Sequence, residues 1–285
     1  MTQTWFITGS SRGFGAALTR AALEAGDQVI ATARKPADLA ELVDTYGERV
    51  LPVALDVTDR AAADAAVAQG DERFGRIDVV VNNAGYANIG PIETTSEDDF
   101  RRQFDTNFWG VYNVTQAVLP VLKAQGAGTI VQFSSIGGRV GGTPGLGSYQ
   151  AAKFAVDGFT RVLATETAPL GIRTLVVEPS GFDTDWAGAS MGFHDVPADY
   201  APTVGAFVEG LSRTVLAAGD PARAGEILVN VVKRRNVPTH LPIGVNATEM
   251  AQDYSRKQMA ETEAWANVSR SADFAEPYPQ AYPED

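Results

Sequence analysis

Six short β-rich runs alternate with longer helical patterns, and no other feature limits the fold of this chain as much. Thr4–Thr8, Gln28–Ala33, Val50–Leu55, Ile77–Val81, Thr129–Phe133 and Arg173–Val177 read as buried strands, five of them rich in Val, Ile and Leu. Between them lie helical patterns over Phe14–Ala25, about Pro36–Tyr46, Arg60–Phe74, Glu97–Lys123 and Ser148–Ala168. A repeated strand–helix–strand rhythm implies right-handed crossovers. The expected result is an α/β fold: a three-layer, doubly wound parallel sheet of about seven strands with helices on both faces. No Pro/Gly-rich linker or internal repeat divides the 285 residues, so residues 1–268 are expected to form a single domain.

The last third leaves this rhythm. Residues 183–203 read as a loop that could act as a lid, where Gly188, Gly192, Pro197 and Pro202 interrupt Trp186, Met191, Phe193 and Tyr200. Gly188 and Gly192 are expected to be its mobile points. Helices are expected over Val204–Ala217 and Pro221–Lys233, the second started by Asp220 as N-cap and Pro221 in its first turn. Thr239–Ile243 reads as an edge strand and Asn246–Val268 as a charged amphipathic helix. Residues 269–285, with Pro277, Pro279 and Pro283 among acidic residues, read as an extended tail.

Composition removes several function classes. A net charge of −12 disfavours nucleic acid and anionic membranes as partners. With no cysteine, thiolate nucleophiles, disulfides and zinc–sulfur sites are excluded. His194 and His240 stand too far apart in sequence to form a metal cluster by themselves. No segment approaches ~20 uninterrupted apolar residues, and the first residues lack the charged and apolar regions of a signal peptide. A soluble, cytoplasmic, metal-free protein is expected.

Two clusters carry the chemistry. Gly9-x-x-x-Gly13-x-Gly15 follows the first strand and opens the first helix. Glycines there allow a tight turn and close approach of backbone to a pyrophosphate resting on the helix N-terminus. The spacing departs from the common G-x-G-x-x-G fingerprint. In the second cluster, Ser135 follows the fifth strand, and Tyr149 and Lys153 share one helix face four residues apart. A free tyrosine has a pKa of roughly 10. An ammonium about 4 Å away, at an effective dielectric near 20, stabilises the phenolate by ~4 kcal/mol, or about three pKa units. Tyr149 is therefore expected near neutrality as a general acid–base. Ser134 competes with Ser135, because strand alternation lets only one of the pair reach a substrate.

Thr8-Gly9-Ser10-Ser11-Arg12-Gly13-Phe14-Gly15, Asp56-Val57, Asn82-Asn83-Ala84-Gly85, Asn107, Ser135 and Tyr149-x-x-x-Lys153 occur in that order. This set resembles the motifs of the short-chain dehydrogenase/reductase family in its simple single-domain branch, from about Thr4 to Thr184. The resemblance implies a Rossmann-like fold and an oxidoreductase that moves hydride between a nicotinamide cofactor and a carbonyl. It implies that Thr8, Gly9, Ser11, Arg12, Gly13, Phe14 and Gly15 form the phosphate cradle. Asp56 and Val57 would contact adenine, and Asn83, Ala84 and Gly85 would border the adenosine ribose. Asn107, Ser135, Tyr149 and Lys153 would be the catalytic tetrad, with the second serine of the pair catalytic. Lys153 would also bind ribose hydroxyls, with a water held between it and Asn107 as a proton relay. Pro179, Gly181, Phe182 and Thr184 fall where the family holds the nicotinamide, although Ser180 stands where Gly is commoner.

The second strand ends in Ala33-Arg34-Lys35, with no carboxylate to accept from ribose hydroxyls. Arg34 can grip a 2′-phosphate in a bidentate fork, Arg12 lies toward the same region, and Lys35 could face water. NADP(H) is the expected cofactor. Gly137–Leu146, Tyr86–Pro91 and Trp186–Tyr200 should line a substrate pocket with few charges, suited to a small hydrophobic ketone, aldehyde or alcohol. A catalytically silent NADP-binding sensor would usually lack Tyr149 or Lys153. A halohydrin dehalogenase would lack the glycine cradle and Lys153. Apolar residues on more than one face of Glu97–Lys123 and Ser148–Ala168 point to a homodimer or homotetramer.

Overall fold

In the computed structural model, residues 2–184, 191–213, 219–278 and 282–283 are described. Seven parallel strands form one sheet in the order β3-β2-β1-β4-β6-β7-β9. They are β1 Thr4–Ile7, β2 Gln28–Ala33, β3 Val50–Ala54, β4 Val79–Asn82, β6 Gly128–Phe133, β7 Ile172–Pro179 and β9 His240–Ile243. The strand order reverses between β1 and β4, so the loops leaving their C-terminal ends diverge and open a crevice.

Alternation along each strand explains why the sheet is buried on both sides. Trp5, Ile7, Val29 and Ala31 face one layer, made by α1 Gly13–Glu24, α2 Ala40–Tyr46 and α9 Pro221–Val232. Phe6 and Ile30 face the other, made by α3 Arg60–Phe74, α5 Gly110–Gln125 and α7 Gly147–Thr167. Successive side chains on opposite faces therefore meet two separate apolar cores. This is the doubly wound architecture expected from the strand–helix rhythm. Asp220 caps α9 as expected, accepting from the Ala222 and Arg223 amides.

Three expectations need correction. The pattern over Glu97–Lys123 is not one α-helix: α4 Glu97–Phe104 and α5 are joined by a π-helical turn, Asp105–Trp109. Asn107 explains the break. Its Nδ2 donates to the Gln103 carbonyl and the Tyr86 carbonyl, both at 3.0 Å, so a side chain enters the helix ladder. Within the expected loop 183–203, Met191–Phe193 forms β8, paired in parallel with β5 Ala87–Ile89. Gly192 is therefore a packed strand residue: a β-carbon there would sit 2.7 Å from Asn88 Oδ1. Trp186 and Gly188 lie outside the described residues, as do residues 214–217 of the expected helix Val204–Ala217; α8 spans Ala206–Arg213. Finally, Asn246–Val268 divides into α10 Val245–Ala264 and α11 Ala266–Arg270, with Trp265 between them against the Tyr282 ring.

Among the described residues, no helix is long and apolar enough to cross a membrane. A chain of aromatic rings through Phe104, Phe108, Trp109, Tyr112 and Phe159 joins the α4–α5 region to α7. Its edge reaches solvent at Trp109, with Phe154 and Val162 also exposed on α7.

Candidate active site

One cleft of about 1710 Å³ opens at the C-terminal end of the sheet. Sites for a single small ligand run to roughly 300–1,000 Å³, so there is room for a dinucleotide and a second molecule. Every cofactor and catalytic residue proposed from the sequence lines this cleft except Thr8 and Gly15. Of the described residues in the expected substrate-pocket segments, only Tyr86, Gly137, Thr143, Leu146, Met191 and Gly192 do so. Thr8 Oγ1 accepts from the Asn83 and Ala84 amides at 2.9 and 3.0 Å, while Asn83 Nδ2 donates to the Thr8 carbonyl at 2.9 Å. The end of β4 is thereby tied to the glycine turn.

Gly9 and Gly13 have φ values of 70° and 55°, the left-handed region that glycine enters without strain. A β-carbon on Gly15 would lie 2.1 Å from the Gly9 carbonyl oxygen. No side chain caps the start of α1 and no acidic residue occupies its first turn. The helix thus presents free N–H groups and the positive end of its dipole to the cleft, a fit for a pyrophosphate. Phe14 packs between Phe133 and Phe182, and a β-carbon on Gly13 would be 3.6 Å from Thr184, so the 179–184 loop closes over the turn. Asp56 is held by Thr58, whose N–H and hydroxyl both donate to Oδ1, with Val57 beside it.

At the other end of the cleft, α7 and the β6 loop bring Tyr149, Lys153 and Ser135 together. The Ser135 side chain is hydrogen-bonded to that of Tyr149, and its Oγ accepts from the Gly137 amide at 3.1 Å. Ser134 instead donates to the Lys153 backbone carbonyl at 3.1 Å, which settles which serine meets the tyrosine. Lys153 Nζ donates to the Phe133 carbonyl at 2.8 Å and lies 5.7 Å from the Tyr149 ring centroid. Asn107 Oδ1 is buried with no hydrogen-bond partner among the described residues. A β-carbon on Gly85 would be 2.5 Å from that oxygen and 3.5 Å from Lys153 Nζ, so both face one small space.

The electrostatics differ from the sequence expectation. Burial pushes the Tyr149 pKa up to about 12, with the Ser135 hydrogen bond opposing it. Burial lowers Lys153 to about 8. The Coulomb argument for a near-neutral phenol left out desolvation, which acts against both charged forms here. The protein's own groups therefore keep Tyr149 protonated.

Lys153 should leave a mark on stability. An amine near 8 in the folded chain and near 10.5 unfolded binds fewer protons folded than unfolded between those values. Stability should therefore rise as pH climbs from about 8 to 10, by roughly 2 kcal/mol. Thermal melts across that range should show the rise in the wild type and its absence in Lys153→Met. Parallel curves would mean that the amine is solvated.

Several cleft residues carried no sequence signal. Gln150 donates from Nε2 to Thr143 Oγ1 at 2.8 Å and fastens the loop before α7. Phe207 and Leu211 of α8, and Asn246 and Met250 of α10, also line the cleft. His194, expected as a loop residue, pairs through Nε2 with Asp99 at 2.6 Å beside β5.

Comparison with known proteins agrees with this geometry. A family profile described as short chain dehydrogenase matches residues 3–191. An oxidoreductase of Botryotinia fuckeliana is 49% identical over 271 residues, covering 94% of this chain and 98% of that protein. A short-chain dehydrogenase from Streptomyces avermitilis superposes with a TM-score of 0.88 at 36% identity, covering 95% of this chain and 98% of its own. A 3-ketoacyl-(acyl-carrier-protein) reductase from Brucella melitensis complexed with NADH gives 0.70 at 26% identity, over 84% and 95% of the two chains. A short chain dehydrogenase from Burkholderia cenocepacia in complex with NADP gives 0.73 at 26%, over 92% and 96%.

Proposed function

The chain belongs to the short-chain dehydrogenase/reductase family, and from that premise we propose an NADPH-dependent oxidoreductase that reduces the carbonyl of a hydrophobic ketone or aldehyde, or runs the reverse alcohol oxidation. The observation that carries this reading is a buried, protonated Tyr149 hydrogen-bonded to Ser135, in the same cleft as the glycine turn. When bound, NADPH supplies the hydride that reaches the carbonyl carbon. Ser135 donates a hydrogen bond to the carbonyl oxygen and polarises it. Tyr149 gives its proton to that oxygen as charge develops there. Lys153, anchored by the Phe133 carbonyl, holds positive charge beneath the phenol ring and stabilises the phenolate left behind. The space shared by Asn107 Oδ1 and Lys153 Nζ suits a proton-relay water, which would satisfy an otherwise orphaned buried acceptor.

Cofactor choice rests on Arg12 and Arg34. Both are exposed on the cleft wall, and neither has an ion-pair partner among the described residues, so their charge is available to a 2′-phosphate. Lys35 lines the same wall, although Asp38 does too. Each charge-assisted hydrogen bond contributes about 1.5–3 kcal/mol, so kcat/KM should favour NADPH over NADH by about 100-fold. Arg34→Glu should remove most of that preference. Side-by-side rates with both cofactors on a panel of apolar ketones and aldehydes check this, and equal use of NADH would refute the arginine reading. The exposed Trp109, Phe154 and Val162 face is the surface through which a homodimer would form.

A further inference from the structure

Two small apolar clusters adjoin the catalytic pair. One contains Tyr149 with Leu146, Ile89, Met191 and Val204, backed by Phe207 and Leu211 of α8. The other contains Ile136, the residue after Ser135, packed against Ala247 and Ala251 of α10. Neither belongs to the two cores that hold the sheet layers together.

The second cluster fixes how α10 is presented to the cleft. Ala247 is wholly buried and Ala251 nearly so, and their small side chains let the helix lie close against α6, Gly137–Val140. The start of α10 is pinned as well: a β-carbon on Gly244 would be 2.7 Å from Ser180 Oγ and 3.3 Å from the Phe182 ring. With Ala247 and Ala251 turned to α6, the neighbouring i, i+4 pair Asn246 and Met250 lines the catalytic cleft. Met250 is nonetheless 41% exposed, an apolar side chain at the cleft with its surface still wet. Among the described residues, none of the cleft positions supplied by α6, β8, α8 and α10 carries a charge.

We propose that α10 is the specificity wall of this enzyme: Asn246 and Met250 receive the distal part of an elongated, uncharged apolar substrate whose carbonyl sits at Ser135 and Tyr149. This inference rests on the carbonyl-oxidoreductase reading for the position of the reacting end. An apolar chain passing between the two clusters covers Met250 and gains from each methylene it buries. A short ketone engages Ser135 and Tyr149 and never reaches α10. Asn246, the polar neighbour, has donors and an acceptor for an uncharged group on the distal part.

The test is a chain-length series, 2-butanone to 2-dodecanone, with NADPH. A buried methylene is worth about fourfold in kcat/KM, and that gain should continue in the wild type until the chain clears the helix. Met250→Gln places an amide of similar length on the wall and should flatten the gain for the longer ketones to below about twofold per methylene. Because Met250 is partly exposed, its melting temperature should stay within about 2 °C of wild type. The same ketones are titrated calorimetrically into Tyr149→Phe saturated with NADPH, with and without Met250→Gln, so that binding is read without turnover. Turnover with the same length dependence in both proteins would overturn the α10 wall and leave the reductase reading standing. Absence of turnover, with length-dependent binding that Met250→Gln abolishes, would keep the wall and remove the reductase reading. Binding that does not strengthen with length in the Met250 protein would overturn the wall directly.

Discussion

Tyr149→Phe is expected to lower kcat for carbonyl reduction by about 10³-fold, while the NADPH dissociation constant changes by less than about twofold. The size follows from the work assigned to the phenol. A positioned proton donor contributes typically 10²–10⁴-fold, and the neighbouring Lys153 ammonium is engaged by the Phe133 carbonyl. The Ser135 hydrogen bond opposes the rise that burial imposes on the Tyr149 pKa. Phenylalanine keeps the ring and its packing against Ile89, Leu146 and Met191, so the fold and the cofactor end of the cleft should be undisturbed. Single-turnover decay of NADPH fluorescence gives the chemical step, and equilibrium titration gives the affinity. A variant retaining more than a tenth of wild-type turnover would move the proton to another donor and take the central assignment with it.

Gly15→Ala should be nearly as damaging, by a different route. The added carbon would meet the Gly9 carbonyl oxygen at 2.1 Å and Asn83 Nδ2 at 2.5 Å. The first is backbone in the glycine turn itself, and the second is tied by hydrogen bonds to Thr8 and Gly9. Neither can swing aside as a flexible side chain would. Relief requires α1 to move away from the turn, which separates the free helix N–H groups from the space a pyrophosphate would fill. Overpacking of this kind costs about 1–3 kcal/mol in stability, and NADPH affinity should fall by about 100-fold or more. Gly210→Ala is the matched control, because a β-carbon there meets nothing within 4 Å. Melting curves and NADPH titrations on both variants decide the matter. Normal cofactor affinity in Gly15→Ala would mean that the dinucleotide does not rest on this turn.

These two effects differ in how visible they were beforehand. Tyr149 and Lys153 four residues apart, and glycines after a first strand, are local patterns that survive without coordinates. The same holds for the central strands, since a strand buried on both faces must be apolar throughout. Asn107 shows the limit of such reading. Its family resemblance marked it, but the π turn that aims it arises because its amide competes for the Gln103 and Tyr86 carbonyls. A helical apolar pattern runs through the site unbroken and gives no sign of that competition.

Charge states were the least legible part. Spacing alone gave an ammonium near a phenol and hence a lowered pKa. In the folded chain both groups are buried, and desolvation disfavours each charged form, so Tyr149 rises and Lys153 falls. Burial is a property of everything packed around a residue and is not written at its own position.

The sequence by itself determined the layered parallel sheet, the glycine turn, and the Tyr149 and Lys153 pair, because these follow from periodicity and from residues close in the chain. Only the tertiary structure decided that Ser135 and not Ser134 meets the tyrosine, that Met191–Phe193 pairs with Ala87–Ile89, and that Asn246 and Met250 reach a cleft built mainly by residues far earlier. The physical reason is common to all three. Each depends on which surfaces exclude water together, and that is settled by the packing of distant segments, not by local preference.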